Sequence, residues 1–189
     1  MLEPAYPLRT ERLDLRPFQE DDADFLAELQ GDPDITRYLY YQPLTREESL
    51  QALAKRMQTR VLRGDGDLLQ LVAVLRETRE RVGEATLFYR SVEHSGGEVG
   101  YLVHPAHQQR GYATEMSAEM LRLAFEDLRL HRVVGRLDGR NTASATVLEK
   151  LGMRREAHLI SNEFVKGEWC DELDYALLAD EWAASRSSA

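Results

Sequence analysis

Apolar and polar positions along the chain alternate in some stretches and recur at helical spacing in others. In RLDLRPF (12–18), Leu13 and Leu15 share one face of a strand that Pro17 closes. Residues from about 20 to 30 read as a short helix with an acidic start, which Gly31, Asp32 and Pro33 terminate. Thr45 and Glu48 have capping-box spacing and open a second helix, expected to run to about Arg63 before the GDGD turn at 64–67. LLQLVAVLR and VGEATLFYR then read as a hairpin, and GEVGYLV as a third strand ended by Pro105. From Ala113 the period becomes helical, with Met116, Met120, Ala124 and Leu128 on one side and Leu121 and Phe125 beside them. HRVVGRLD (131–138) is a strand. Asn141 can N-cap a helix that Gly152 ends. Two strands joined at Lys166–Gly167 and a short helix near Asp180–Trp182 finish the chain. Strand, helix pair, three strands, helix, strand, helix, two strands: this order predicts a mixed α/β sheet protein, not a regular βαβ alternation.

Composition narrows the function classes. A length of 189 residues suits a single domain over 1–189, with an ordered core at about 8–182 and a frayed tail from about Ala183 to Ala189. Acidic residues outnumber basic ones by 33 to 24, a net charge of −9, which argues against a broad nucleic-acid-binding face. It leaves room for one anion held at a helix N-terminus and suits a cationic second substrate. No stretch approaches the ~18 apolar residues of a membrane span, and the first residues do not form a signal peptide, so a cytoplasmic protein is expected. The lone Cys170 rules out an intramolecular disulfide and reads as a packing residue. His94, His104, His107, His131 and His158 show no HxH or HxxxH spacing, so no metal is expected.

The informative junction is GEVGYLVHPAHQQRGYATEM, where a strand ends at Val103 and Gln108-x-x-Gly111-x-Ala113 opens an amphipathic helix. Gly and Ala there let the backbone approach a ligand, and successive N–H groups converge on an anion with the helix dipole behind them. This pattern resembles the pyrophosphate loop of the GNAT acetyltransferase superfamily. Other segments resemble that superfamily's Rim-type branch, whose name-giving members acetylate ribosomal-protein N-termini. They are LRTERLDLRPFQEDDA, EVGYLVHP, RLDGRNTASATVLEKLGM and VKGEWCDELDYALLADEW, in the branch's order from Leu8 to Trp182. The pattern is departed from in two places: Gln109–Arg110 stand for a frequent Gly–Lys or Gly–Arg pair, and Met153 for a usual Phe.

The resemblance implies a largely antiparallel sheet of about seven strands flanked by about four helices, splayed between the family's fourth and fifth strands where CoA binds. It implies acetyl-CoA as co-substrate and a primary amine, either a protein N-terminus or a small molecule, as acceptor. The backbone of Gln108, Gln109, Arg110, Gly111, Tyr112, Ala113 and Thr114 would cradle the pyrophosphate. Leu102 and Val103 would pair with the pantetheine arm like an added strand, with Gly100 at a bulge or close approach. Asn141 would hydrogen-bond the pantetheine, and Ser144 would donate a proton toward the leaving thiolate. Strand amides would hold the oxyanion. Glu98 is the candidate general base, with Glu84 and the Asp171–Glu172 pair as competitors. A non-catalytic acyl-CoA-binding module is the alternative, and Trp169 or Trp182, if exposed, would point to a homodimer.

Overall fold

The computed structural model describes residues 1–187. Eight strands form one sheet in the order β1-β2-β3-β4-β5-β6-β8-β7. They are β1 (Leu8–Arg9), β2 (Leu13–Pro17), β3 (Leu68–Leu75), β4 (Arg81–Ser91), β5 (Gly96–Val103), β6 (Arg132–Asp138), β7 (Arg154–Val165) and β8 (Glu168–Leu178). The helices are α1 (Ala23–Gly31), α2 (Arg46–Arg56), α3 (Tyr112–Arg122), α4 (Thr142–Lys150) and α5 (Ala179–Ser187). The strand beyond the expected seven is β1, two residues that pair with Asp14 and Leu15. The short helix expected near Asp180–Trp182 is α5, longer than expected and continuing past Trp182 to Ser187; the last residues of the expected tail, 188–189, lie outside the described residues.

Every pairing is antiparallel except β5 with β6, which run parallel and pair only over Gly96–Glu98 and Arg132–Val134. Beyond Glu98 the two strands diverge, so the sheet splits there. Buried Met116, Met120, Leu121 and Ala124 seat α3 and its π-helical extension (Leu123–Asp127) against the sheet, as the helical spacing predicts. Two expectations need correction. The helix opened by Thr45 stops at Arg56, short of Arg63, because Leu62 is fully buried and pairs in an isolated bridge with Leu2. Trp182 is buried, its ring 5.8 Å from Phe125, whereas Trp169 is 63% exposed beside Phe164.

On the opposite side, α1 and α2 pack through Leu26 and Leu53 on Phe18, Val72 and Val74. Asp22, at the mouth of α1, is fully buried. Burial pushes its carboxyl up, but hydrogen bonds from Arg16, Arg81 and the Gln19 amide outweigh that and hold it below the usual carboxylate range.

Candidate active site

Where β5 ends, the Gln108 side-chain amide donates to the Val103 carbonyl (3.1 Å) and turns the chain toward α3. Gln109 (φ +60°) and Gly111 (φ +84°) both adopt left-handed backbone, and Gly111 is the N-cap of α3 with no side-chain cap bond. The opening amides of a helix have no partner within it. An uncapped helix of this length, opened by a glycine beside exposed Gln109 and Arg110, fits a pyrophosphate. The absent family glycine falls at Gln109, so a side chain sits where glycine would be free of strain.

A residue that sequence reasoning passed over holds this loop from outside. Arg12 Nη1 donates to the Arg110 carbonyl (2.9 Å) and its Nε to Glu115 Oε2 (2.7 Å). Its guanidinium lies 4.6 Å from the centre of the Tyr112 ring. Thr10 Oγ1 and the Arg12 amide donate to Glu115 Oε1 at 2.5 and 2.7 Å. The turn before β2 therefore locks the first turn of α3. The sequence signal was TERL itself, quoted in the resemblance but read only as a strand opening.

At the split lies a cavity of about 260 Å³. Gly100 and Leu102 of β5 line it from one side, Arg136 and Leu137 of β6 from the other, and Ser144 of α4 closes it with Asn141, the residue before that helix. Past Glu98, the β5 backbone edge turned away from β4 has no strand partner. Val103 instead turns its side chain into the core. No bulge occurs at Gly100; a Cβ there would meet only Thr86 Cβ, at 3.7 Å, and the β4–β5 irregularity lies at Tyr89–Ser91. A close approach beside the cavity occurs instead at Gly135, where an added Cβ would sit 2.9 Å from Leu148 Cδ1. That glycine lets α4 settle on β6 and brings Ser144 to the cavity.

Asn141 Oδ1 accepts from the Ser144 amide (3.0 Å), the expected N-cap. Ser144 Oγ lies 2.8 Å from the Tyr101 hydroxyl, which also donates to the Ser144 carbonyl (2.9 Å). Burial pushes the Tyr101 phenol up to about 12.

The acidic candidates separate. Glu98 does not line the cavity; at the vertex of the split it pairs with Arg90 (2.8 Å) and with Arg136 (3.5 Å), which does. Glu84 lines the cavity, is buried, and accepts from Gln70 Nε2 (2.7 Å) and Arg56 Nε (3.1 Å). Burial raises the Glu172 carboxyl above its usual range, against a hydrogen bond from Tyr40. Asp171 lies away from the cavity; the Ser161 amide and His158 hold its carboxyl low. Cys170 is buried, and burial pushes its thiol up. Among the described residues no group of His, Cys, Asp and Glu could hold a metal ion. Among those residues no helix is long and apolar enough to cross a membrane.

A family model described as an acetyltransferase (GNAT) domain matches residues 12–154. The chain belongs to the GNAT acetyltransferase family. As a GNAT protein it is an acetyl-CoA-dependent N-acyltransferase, and its mixed α/β sheet is the GNAT fold. It is 28% identical over 176 residues to an uncharacterized N-acetyltransferase, p20, of Bacillus licheniformis, covering 93% of this chain and 98% of that one. It is 29% identical over 175 residues to another, YnaD, of Bacillus subtilis, with the same coverage. A GNAT-family acetyltransferase crystal structure from Bacillus anthracis superimposes with a TM-score of 0.82 at 28% identity, over 92% of this chain and 98% of that one. A spermidine N-acetyltransferase from Vibrio cholerae, solved with CoA and spermine, shares the fold with a TM-score of 0.78 at 21% identity, over 91% and 98%. The non-catalytic alternative finds no support in these likenesses.

Proposed function

We propose that this GNAT protein acetylates a primary amine, at a protein N-terminus or on a small molecule, by direct attack of the amine on the thioester. The observation that carries the reading is the split between β5 and β6, with a free strand edge on one side and the Asn141–Ser144 turn of α4 on the other. The loop from Gln108 to Thr114 binds the pyrophosphate, the β5 edge at Leu102 and Val103 holds the pantetheine arm, and Asn141 hydrogen-bonds it. Free β5 amides stabilise the developing oxyanion. Ser144 donates a hydrogen bond to the leaving sulfur.

The attacking nitrogen must be neutral, so a carboxylate takes its surplus proton. We assign this to Glu98, acting through water, since it reaches the cavity only by way of Arg136. A second reading gives it to Glu84, favoured because that residue lines the cavity itself. Register puts Glu84, Leu102 and Gly100 on one sheet face and Tyr101 on the other, so donor and acceptor approach the split from opposite faces. The Rim-type likeness of the sequence favours a peptide N-terminus. The name of the Vibrio cholerae neighbour, a spermidine N-acetyltransferase, and the chain's negative charge favour a small cationic amine. A cytoplasmic setting accords with a lone buried thiol. The exposed Phe164–Trp169 pair is the patch we assign to a homodimer contact.

Thiol release from acetyl-CoA, measured across peptides with different N-termini and a set of small amines, tests the reading. Amine-dependent release by at least one class is expected. Release that ignores every amine would overturn it.

A further inference from the structure

Ser144 is gripped at three atoms. Asn141 Oδ1 accepts a hydrogen bond from its amide, and Tyr101 contacts both its carbonyl oxygen (2.9 Å) and its Oγ (2.8 Å). The first grip is an N-cap and serves the helix. The other two come from a separate element, β5, whose tyrosine lies against the cavity. Packing alone does not call for that hydroxyl, since a phenylalanine fills the same face of the strand. A helix serine without an outside partner turns its hydroxyl to solvent or back to the carbonyl four residues earlier. Here the outside partner is present, and it keeps the serine hydroxyl turned to the cavity side.

Resting on the acetyl-transfer reading above, we propose that Tyr101 is a positioning residue that aims the Ser144 hydroxyl at the leaving sulfur. Tyr101 has one proton and two acceptors within reach. When it donates to the Ser144 carbonyl, the serine hydroxyl donates back to the phenol oxygen. When it donates to Oγ, the serine proton is released toward the cavity. Rotating two O–H bonds interconverts these states, with no movement of heavy atoms.

The second state suits the moment when the thioester C–S bond breaks. The amine lone pair forms the C–N bond, and the surplus amine proton goes to the carboxylate base or water. The C–S electron pair leaves on sulfur as thiolate, toward which Ser144 then donates. Both hydroxyls keep their protons throughout. Burial raises the Tyr101 phenol to about 12, and the Ser144 hydrogen bond and the nearby Tyr175 are weaker influences. It is therefore a proton donor at neutral pH.

The test is a double-mutant cycle on the full chain, with CoA binding read by calorimetry and folding by thermal melt beside kinetics. Tyr101→Phe removes one oxygen. It should lower kcat about tenfold while leaving the KM for acetyl-CoA and the Kd for CoA within about twofold, since the contact acts in the transition state. In a Ser144→Ala background the same change should alter kcat by less than about twofold, because its only route of action is gone. Three results would each overturn the proposal. One is an equal loss in both backgrounds. Another is a kcat for Tyr101→Phe within about twofold of wild type. The third is a fall in Tm beyond about 10 °C or a tenfold weaker Kd for CoA, which would make the hydroxyl structural. Wild type without amine-dependent thiol release would instead reject acetyl transfer itself.

Discussion

Replacing Gly111 with valine tests the phosphate loop through two separable costs. The backbone there has φ +84°, a region in which a β-branched residue is an outlier, and a side chain in left-handed backbone costs about 1–2 kcal/mol. The new Cβ would also lie 3.3 Å from Arg12 Nη2, tighter than ordinary contact. Arg12 cannot yield freely, because it holds the Arg110 carbonyl and Glu115. The loop must shift instead, and with it the amides of Gln109 to Thr114. A hydrogen bond to a charged group contributes about 1.5–3 kcal/mol, so losing one such amide already predicts a CoA affinity more than tenfold weaker, ~1.4 kcal/mol. Backbone strain should lower Tm by about 2–8 °C, leaving the variant folded at 25 °C. Titration calorimetry with CoA at that temperature measures the loss. Gly111→Ala, with no β-branch and less bulk, should fall between. A folded Gly111→Val protein with wild-type CoA affinity would falsify the assignment of this loop to pyrophosphate.

Other changes separate other parts of the account. Gln109→Gly should leave stability unchanged or raise it by up to ~1 kcal/mol, relief of left-handed strain offsetting the greater entropy of the unfolded chain; a loss above ~1 kcal/mol by urea denaturation would show that the side chain supports the loop. Ser144→Ala should lower kcat more than it raises the KM for acetyl-CoA, and unchanged turnover would reduce it to a helix serine. Asn141→Ala should weaken CoA binding and cost about 1 kcal/mol through the lost cap, read by calorimetry and melting. Glu98→Gln should lower kcat by roughly 10²–10⁴ with CoA affinity little changed, and the loss should shrink as pH rises and more amine arrives neutral; if Glu84→Gln shows that profile instead, the base is Glu84. Asp22 is held below its usual range in the fold, so the unfolded chain binds its proton more tightly. Its stabilisation is present above the unfolded carboxylate pKa and is lost as pH falls through the folded one. Asp22→Asn should therefore lower Tm more at pH 7 than near pH 3, and an equal drop at both would contradict the sign.

What could be read from the sequence was local. The Thr45–Glu48 capping box forms as predicted, because both partners sit within one helical turn. Gln108 to Thr114 open α3 as expected, since a glycine before an amphipathic run marks a turn whatever surrounds it. Readings failed where a residue answers to a distant partner. Leu62 looked helical but is taken by Leu2, and Trp182 looked available but packs on Phe125. Tyr101 drew no reading from the sequence, because period two gives its face but not the serine beyond it. Glu98 reads from the sequence as a candidate base, while Arg90 and Arg136, which pair with it, are adjacent only through sheet register. Arg12 was invisible for the same reason: its partners Arg110 and Glu115 lie on another element.

The central claim is that the split between β5 and β6, together with the opening of α3, is where acetyl-CoA is held. Amide hydrogen exchange with and without CoA tests it most directly, because it reads the backbone groups themselves. Added CoA should slow exchange at Gln109–Thr114 and along Val99–Val103, where the β5 edge lacks a strand partner. The β7–β8 hairpin should exchange as before. Protection confined to that hairpin, or absent from both the α3 opening and β5 while CoA is bound, would contradict the account.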